Sequence, residues 1–316
     1  MVSQSCGMNS EILKKEISQL RKEKNALIMA HYYQREEIQE IADFIGDSLA
    51  LARQAAKTDA DIIVMCGVHF MGETAKLLCP DKKVLVPDAN AGCSLADSCD
   101  AKEFEKFIKS YPDHTVISYV NTSADVKALT DIVVTSGNAR KIVDQLPVDE
   151  KIIFGPDRNL GEYINSVTGR NMVLWNGACH VHDRFSLEKI IEMKKAHPGA
   201  KILVHPECKR PLQLIADKVG STAALLEFAS KDDAKEYIVV TESGILYEMK
   251  NKCPEKVFLA APAEDAECQC NECDFMKMNT LQKVYECLRD ESPEIKVDTE
   301  VARKGVLSIE KMLEMS

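Results

Sequence analysis

The sequence predicts an α/β protein of three pseudo-threefold-related three-layer domains, each with a small parallel sheet. The active site and any metal cluster are expected at their junction. Three observations carry this. Three segments resemble one another at regular spacing. Inside each, short apolar strands alternate with amphipathic helices, the pattern of parallel sheets. Each is followed, just past its last strand, by cysteine.

The segments are ALIMAHYYQREEIQEIADFIGDSLALARQAA at 26–56, TVISYVNTSADVKALTDIVVTSGNARKIVDQL at 115–146 and KILVHPECKRPLQLIADKVGSTAALLEFAS at 201–230. His31 to Ser48, Tyr119 to Ser136 and His205 to Thr222 each span 17 positions. A self-similarity at fixed period marks repeated structural units. Each unit reads as a βαβαβ element. Second strands are expected at Asp61–Met65, Lys151–Phe154 and Tyr237–Val240. Third strands are expected at Val84–Val86, Met172–Trp175 and Val257–Ala260. In the first unit Ile38, Ile41, Ala42, Ile45 and Leu49 fit one face of a single helix.

Outside the repeats, residues 11–25 carry Glu11, Lys14, Lys15, Glu16, Arg21, Lys22, Glu23 and Lys24. That is a charged amphipathic helix and not a signal peptide. Leu281, Val284, Tyr285 and Leu288 share a helical face, and a last helix is expected near 299–315, after Pro293. The expected units are 1–100, 101–186, 187–274 and C-terminal helices at 275–316 packing back on the core. The chain has 316 residues, 45% of them apolar, and a formal charge of −10. That balance excludes the basic footprint of a nucleic-acid binder or an anionic-membrane binder. No apolar run reaches the length of about 18 residues needed to span a bilayer. A cytoplasmic location is expected.

Twelve cysteines are many for such a chain. Disulfides are rare in reducing compartments, which leaves buried thiols, metal ligands and redox thiols. Cys66, inside an apolar run, and Cys287, on a helical face, read as small buried hydrophobes. Cys93 (VLVPDANAGCSLAD), Cys179 (MVLWNGACHVH) and the group Cys268, Cys270 and Cys273 (VFLAAPAEDAECQCNECDFMKMN) follow the third strand of successive units. Ligands of open α/β sheets gather at the carboxyl ends of strands. One thiolate from each unit would therefore meet at a common centre. Three thiolates on a four-iron cluster leave one iron open as a Lewis acid. Zinc on CxCxxC is the rival metal, but it leaves Cys93 and Cys179 unexplained. Spacing alone leaves the third ligand open and slightly favours Cys268 over Cys273.

Ser48, Ser136 and the Ser221–Thr222 pair are each read as opening a helix. Helix N-termini bind anions, and three around one centre suit a small substrate with several carboxylates or a phosphate. His31, Tyr119, Asn121, His205 and Glu207 stand at the neighbouring strand ends, and His182 follows Cys179 by three positions. The histidines are candidates for proton transfer or oxygen binding, and Glu207 for a general base. His114 and His197, in polar loops, are read as surface residues.

Taken in order, AHYYQREEIQEIADFIGDSL, DANAGC, YVNTSA, TSGNA, GPDRNLG, GACHVH, HPEC, GSTAAL and CDFMKMN resemble the quinolinate synthase family of NAD biosynthesis, from about residue 25 to residue 285. The resemblance implies condensation of iminoaspartate with dihydroxyacetone phosphate to quinolinate, releasing phosphate and two waters. It implies a [4Fe–4S] cluster on Cys93, Cys179 and Cys273, its open iron acting as Lewis acid in dehydration. It implies substrate contacts from His31, Asp47, Ser48, Tyr119, Asn121, Ser136, His182, His205, Glu207, Ser221 and Thr222. Glu207, Tyr33 and His205 are the expected proton-transfer residues. Tyr32 stands where many relatives have Asn, and its side chain should point away from the site. Partners are expected to be small molecules only, with functional coupling to an L-aspartate oxidase or dehydrogenase. Two alternatives are a radical iron–sulfur enzyme of the diphthamide type, with the same three-cysteine plan, and a non-catalytic metal or redox sensor built on CxCxxC. Cys268 and Cys270 are read as spare thiols, a redox switch with Cys273, or part of a cluster-loading route.

Overall fold

The computed structural model describes residues 9–264 and 271–316. Cys268 and Cys270 lie outside the described residues, so the readings given to them are not addressed below.

The first domain opens with α1 (Ser10–Glu23), capped by the Asn9 side chain. It continues through β1 (Ala26–His31), α2 (Glu36–Gln39), β2 (Phe44–Gly46), α3 (Ser48–Ala55), β3 (Ile62–Cys66), α4 (His69–Leu78) and β4 (Lys83–Leu85). The connecting helices α5 (Ser94–Asp97) and α6 (Ala101–Lys109) lead into the second domain. There follow β5 (Thr115–Tyr119), α7 (Ala124–Lys127), β6 (Ile132–Val134), α8 (Ala139–Gln145), β7 (Ile152–Gly155), α9 (Arg158–Thr168) and β8 (Val173–Leu174). The third has α10 (Leu187–Ala196), β9 (Lys201–Val204), α11 (Arg210–Leu214), β10 (Lys218–Val219), α12 (Thr222–Lys231), β11 (Glu236–Val240), α13 (Ile245–Lys252) and β12 (Val257–Ala260). The chain closes with α14 (Asp274–Lys277), α15 (Leu281–Asp290) and α16 (Thr299–Met315).

The three sheets are parallel and share one topology: β2-β1-β3-β4, β6-β5-β7-β8 and β10-β9-β11-β12. Each has four strands, one more than the expected βαβαβ unit. The added strands β2, β6 and β10 are two or three residues long, too short to show a period. The expectation of one helix through Ile38–Leu49 fails for the same reason. α2 ends at Gln39, and β2 intervenes before α3. Ile41, Ala42 and Ile45 pack on the core beneath α1, whereas Leu49 packs on the opposite, central core.

Alternation along the first strand of each sheet sets the site. Met29, Ile117 and Leu203 face one apolar core that runs through all three domains. Their neighbours Ile28 and Ala30, Val116, and Ile202 and Val204 face three separate outer clusters. These are sheets buried on both faces, so their strands are apolar throughout. With a side-chain period of two, the residue two beyond each central position also points to the centre. Those residues are His31, Tyr119 and His205.

α15 packs against α1 and β3, and α16 crosses α4, α7 and β6. At the C-cap of α15, Glu291 holds a positive φ of 51°. Its carboxylate pairs with Lys24 at 2.7 Å and with Lys83. The Cys66 and Cys287 readings hold: both are buried in the core beneath α1. Among the described residues no helix is long and apolar enough to cross a membrane.

Candidate active site at the three-domain junction

One cavity lies where the three domains meet. Its wall includes His31, Tyr33, Asp47, Ser48 and Cys93 from the first domain and Tyr119, Asn121, Ser136 and Cys179 from the second. His182, His205, Glu207, Thr222 and Cys273 complete it. Of the residues expected from sequence, Ser221 alone is not in this wall. It caps α12 beside it, its hydroxyl accepting the Ala224 N–H at 3.3 Å. Tyr32 is absent from the wall, in keeping with its opposite strand parity. Val68, Phe70, Met71, Phe275 and Met276 supply an apolar lining beside the polar groups.

The strand-end residues are held in specific states. His31 Nδ1 accepts the backbone N–H of Tyr33 at 3.2 Å, and His205 Nδ1 accepts that of Glu207 at 3.4 Å. Each contact leaves the ring proton on Nε2, and in His205 that nitrogen meets Ser136 Oγ at 3.2 Å. Burial pushes both imidazoles down to about 3, so both are neutral near pH 7. Burial opposes the Glu207 charge as well. The neighbouring His182 and the Tyr119 hydroxyl at 2.7 Å outweigh it and hold the carboxyl below its usual range. Burial also pushes the Tyr33 and Tyr119 phenols up, and Tyr33 Oη bonds Thr222 Oγ1 at 2.8 Å and Thr241 Oγ1 at 2.7 Å.

Two helix starts and one turn converge, where three helix starts are expected from sequence. Asp47 caps α3 through the Ala50 N–H, and Ser48 is its first residue. Ser221 caps α12. Ser136 does not open α8: it sits in a turn, and the helix begins three residues later at Ala139 with Asn138 as its cap. A β-carbon on Gly137 would stand 3.4 Å from Ser221 Oγ, so the Ser136 turn still abuts the start of α12. His114 and His197 are partly exposed, the latter 3.4 Å from Glu236.

Several residues in the wall or just behind it have no sequence reading. Glu242, fully buried, accepts the N–H groups of Cys273 at 3.1 Å and Gly244 at 2.7 Å. Lys277 Nζ lies 3.0 Å from it and donates to the Tyr33 carbonyl at 2.7 Å. His180 also lines the wall, and its Nδ1 bonds Ser94 Oγ. Thr241 stands 2.9 Å from His182 Nε2. The signal for Glu242 was position: it lies two residues past a strand end, where ligands gather.

The donor chemistry suits a metal. Burial pushes the thiols of Cys93 and Cys273 up to about 12 and about 11, and that of Cys179 well above the ordinary range. Cys273 adds to the rise at Cys93, and Cys93 to that at Cys179, as expected of sulfurs that share one cavity. Three half-buried thiolates in one cavity need a cation. Ligand atoms of Cys179, His182 and Glu207 also lie within 4.8 Å of one another. Asn121 Oδ1 is buried without a hydrogen-bond partner, as a group awaiting a ligand would be, and His182 Nδ1 stands 3.3 Å from Glu207 Oε2.

Comparison with known proteins agrees with the geometry. A family model described as quinolinate synthetase A protein matches residues 15–314. The chain is 56% identical over 300 residues to the quinolinate synthase of Microcystis aeruginosa, covering 95% of this chain and 94% of that one. It is 54% identical to that of Thermosynechococcus vestitus over 300 residues, with the same coverage. To that of Chloroherpeton thalassium it is 52% identical over 301 residues, again with the same coverage.

Proposed function

The chain belongs to the quinolinate synthase family, enzymes of NAD biosynthesis, and from that premise we propose that it condenses iminoaspartate with dihydroxyacetone phosphate to quinolinate in the junction cavity, releasing phosphate and two waters. Membership of this family sets aside the diphthamide-type enzyme and the non-catalytic sensor. The observation that most supports the reaction is one cavity carrying three cysteines, two helix starts, the Ser136 turn and the Glu207 group, drawn from all three domains.

In this reading Cys93, Cys179 and Cys273 hold a [4Fe–4S] cluster. When bound, it supplies a Lewis acid for dehydration, because three thiolates leave one iron without a protein ligand. The remaining work belongs to the chain's own residues. Ser48 and Thr222, with the starts of α3 and α12 behind them, and Ser136 in its turn bind carboxylate or phosphate oxygens. Asp47 and Ser221 cap two of those helices. Neutral His31 and His205 offer Nε2–H donors to substrate oxygens. Ionised Glu207 accepts a proton, and neutral Tyr33 donates one. His182, between Cys179 and Glu207, orients the carboxylate. Asn121 turns an unpartnered amide oxygen toward the substrate.

Its partners are small molecules, its imine comes from an L-aspartate oxidase or dehydrogenase, and its location is the cytoplasm. Reduced thiols support that location, since all nine cysteines among the described residues are unbridged. The test is anaerobic purification, elemental analysis and an assay with enzymatically supplied iminoaspartate and dihydroxyacetone phosphate. Quinolinate formation with about four irons per chain is expected. Zinc in place of iron would move the metal site to the Cys179–His182–Glu207 group and overturn the cluster.

A further inference from the structure

The strand registers align three positions that no sequence motif connects. Ala30 pairs with Cys66, Ser118 with Gly155 and Val204 with Val240. Ala30, Ser118 and Val204 each precede the strand-end residue of the repeat, so Cys66, Gly155 and Val240 are structural equivalents. Two residues beyond them stand Val68, Asp157 and Glu242. Two of the three are carboxylates, and both are fully buried at 0% exposure.

These two carboxylates make the same pair of contacts. Asp157 Oδ1 accepts the N–H of Leu160 at 2.7 Å, at the start of the following helix, and Oδ2 accepts the N–H of Cys179 at 3.2 Å. Glu242 Oε2 accepts the N–H of Gly244 at 2.7 Å, again where a helix begins, and Oε1 accepts the N–H of Cys273 at 3.1 Å. One oxygen anchors the carboxylate to its own domain. The other fixes the backbone of a cysteine far along the chain. Glu242 is tied further by Lys277, whose Nζ bridges it to the Tyr33 carbonyl of the first domain. The first domain lacks the device. Val68 occupies the position, caps α4 without a side-chain bond, and leaves the loop before Cys93 to a backbone contact, His69 N–H to Ala91 carbonyl at 2.7 Å.

We propose that Asp157 and Glu242 are equivalent positioning residues that hold the Cys179 and Cys273 backbones in register for the cluster, and that the Cys93 seat is built without one. The proposal rests on the cluster reading above. A buried carboxylate is costly unless bonded, and here each is bonded to a backbone amide of a ligand residue. Partners of this kind orient metal ligands, and their loss typically costs about 10–100-fold in metal affinity. The arrangement is also asymmetric. Two of the three cysteines have a buried carboxyl group bonded to their backbone amide, and Cys93 has none.

The test uses D157S and E242A in the full chain, purified anaerobically, the alanine removing both acceptor oxygens at 242. Serine at 157 keeps the helix cap to Leu160, since serine is a preferred cap, and loses the oxygen that reaches Cys179. Iron release to a chelator is followed by absorbance, and the reduced cluster by electron paramagnetic resonance. Release about tenfold faster or more in both variants, with a shifted resonance signal and a circular dichroism spectrum unchanged, is the expected result. If D157S or E242A fails to fold, D157N or E242Q, which keeps one acceptor oxygen for the cysteine amide, takes its place with an intermediate rate expected. Release within about twofold of the unsubstituted enzyme, with an unchanged signal, overturns the proposal. Unsubstituted enzyme without iron would instead overturn the cluster itself, so the two failures are distinct.

Discussion

Tyr119 Oη donates to Glu207 Oε1 at 2.7 Å, joining the end of β5 in the second domain to the loop after β9 in the third. Both residues are buried, so no water replaces the contact if it is lost. A hydrogen bond to a charged group contributes about 1.5–3 kcal/mol. Y119F is therefore expected to lower the thermal midpoint by several degrees and quinolinate formation by at least about tenfold, the latter because Glu207 loses the donor that stabilises its charge. Steady-state rates beside a melting curve test this. Unchanged kcat/KM would remove the pair from the chemistry.

The paired histidines predict an acid sensitivity with a definite sign. His31 and His205 each fix Nδ1 on a backbone N–H and are buried neutral, with pKa values of about 3 against an ordinary 6.5. Their folded pKa values are depressed. Between pH 6.5 and 3 the unfolded chain therefore binds protons that the folded chain does not, and stability falls as pH falls. The slope is about 1.4 kcal/mol per pH unit for each histidine, as an upper order of magnitude. Urea midpoints of the iron-free protein should fall between pH 7 and pH 5, and fall less steeply in H31N. Asn can keep an acceptor for the Tyr33 amide but has no proton to gain. Parallel curves for the two proteins would contradict this account.

Cysteine substitutions should divide cleanly. C93A, C179A and C273A are each expected to abolish the visible absorption of the cluster and most of the bound iron, because each removes one of three thiolates from a single cavity. C66A and C287A should leave iron content unchanged. Those thiols lie in the core beneath α1 and cost only a small cavity, about 1 kcal/mol. Iron retained after C93A or C179A would break the three-cysteine plan.

The repeat made most of this architecture legible, because strand parity is written in sequence. Positions two apart face the same side, so Met29 and His31, Ile117 and Tyr119, and Leu203 and His205 had to share the central face. What stayed hidden was of two kinds. β2, β6 and β10 have two or three residues, and a period of two has no room to appear in them. Their absence from the pattern let Ile38 through Leu49 pass for one helix. The second kind is contact between a side chain and distant backbone. Asp157 reaches Cys179 and Glu242 reaches Cys273 through main-chain amides, which carry no side-chain identity for a motif to register. Spacing leaned toward Cys268, and only the family resemblance pointed to Cys273, which lines the cavity, while Cys268 lies outside the described residues. Ser136, expected to open a helix, lies instead in the turn before α8, whose N-cap position is Asn138.

Gly177 offers a last test, two residues before Cys179. Its N–H donates to the Pro156 carbonyl at 3.0 Å, and its carbonyl accepts from Arg158 at 2.9 Å, so its backbone lies flat against the loop that carries Asp157. A β-carbon there would stand 2.5 Å from the Pro156 oxygen and 2.5 Å from Ser98 Oγ. The first of these is backbone and cannot rotate away. G177A must therefore push the chain off the loop, at a cost of about 1–3 kcal/mol. The displacement passes directly to Cys179, so iron content should fall along with the thermal midpoint. Gly199 is the control. Nothing lies within 4 Å of its β-position, and its φ is not left-handed, so G199A should be neutral or stabilising by up to about 1 kcal/mol through the unfolded chain. Iron per chain and melting curves, measured side by side for the two variants, separate close backbone approach from a general intolerance of alanine. Equal behaviour of G177A and G199A would show that the Cys179 loop has slack that its geometry denies.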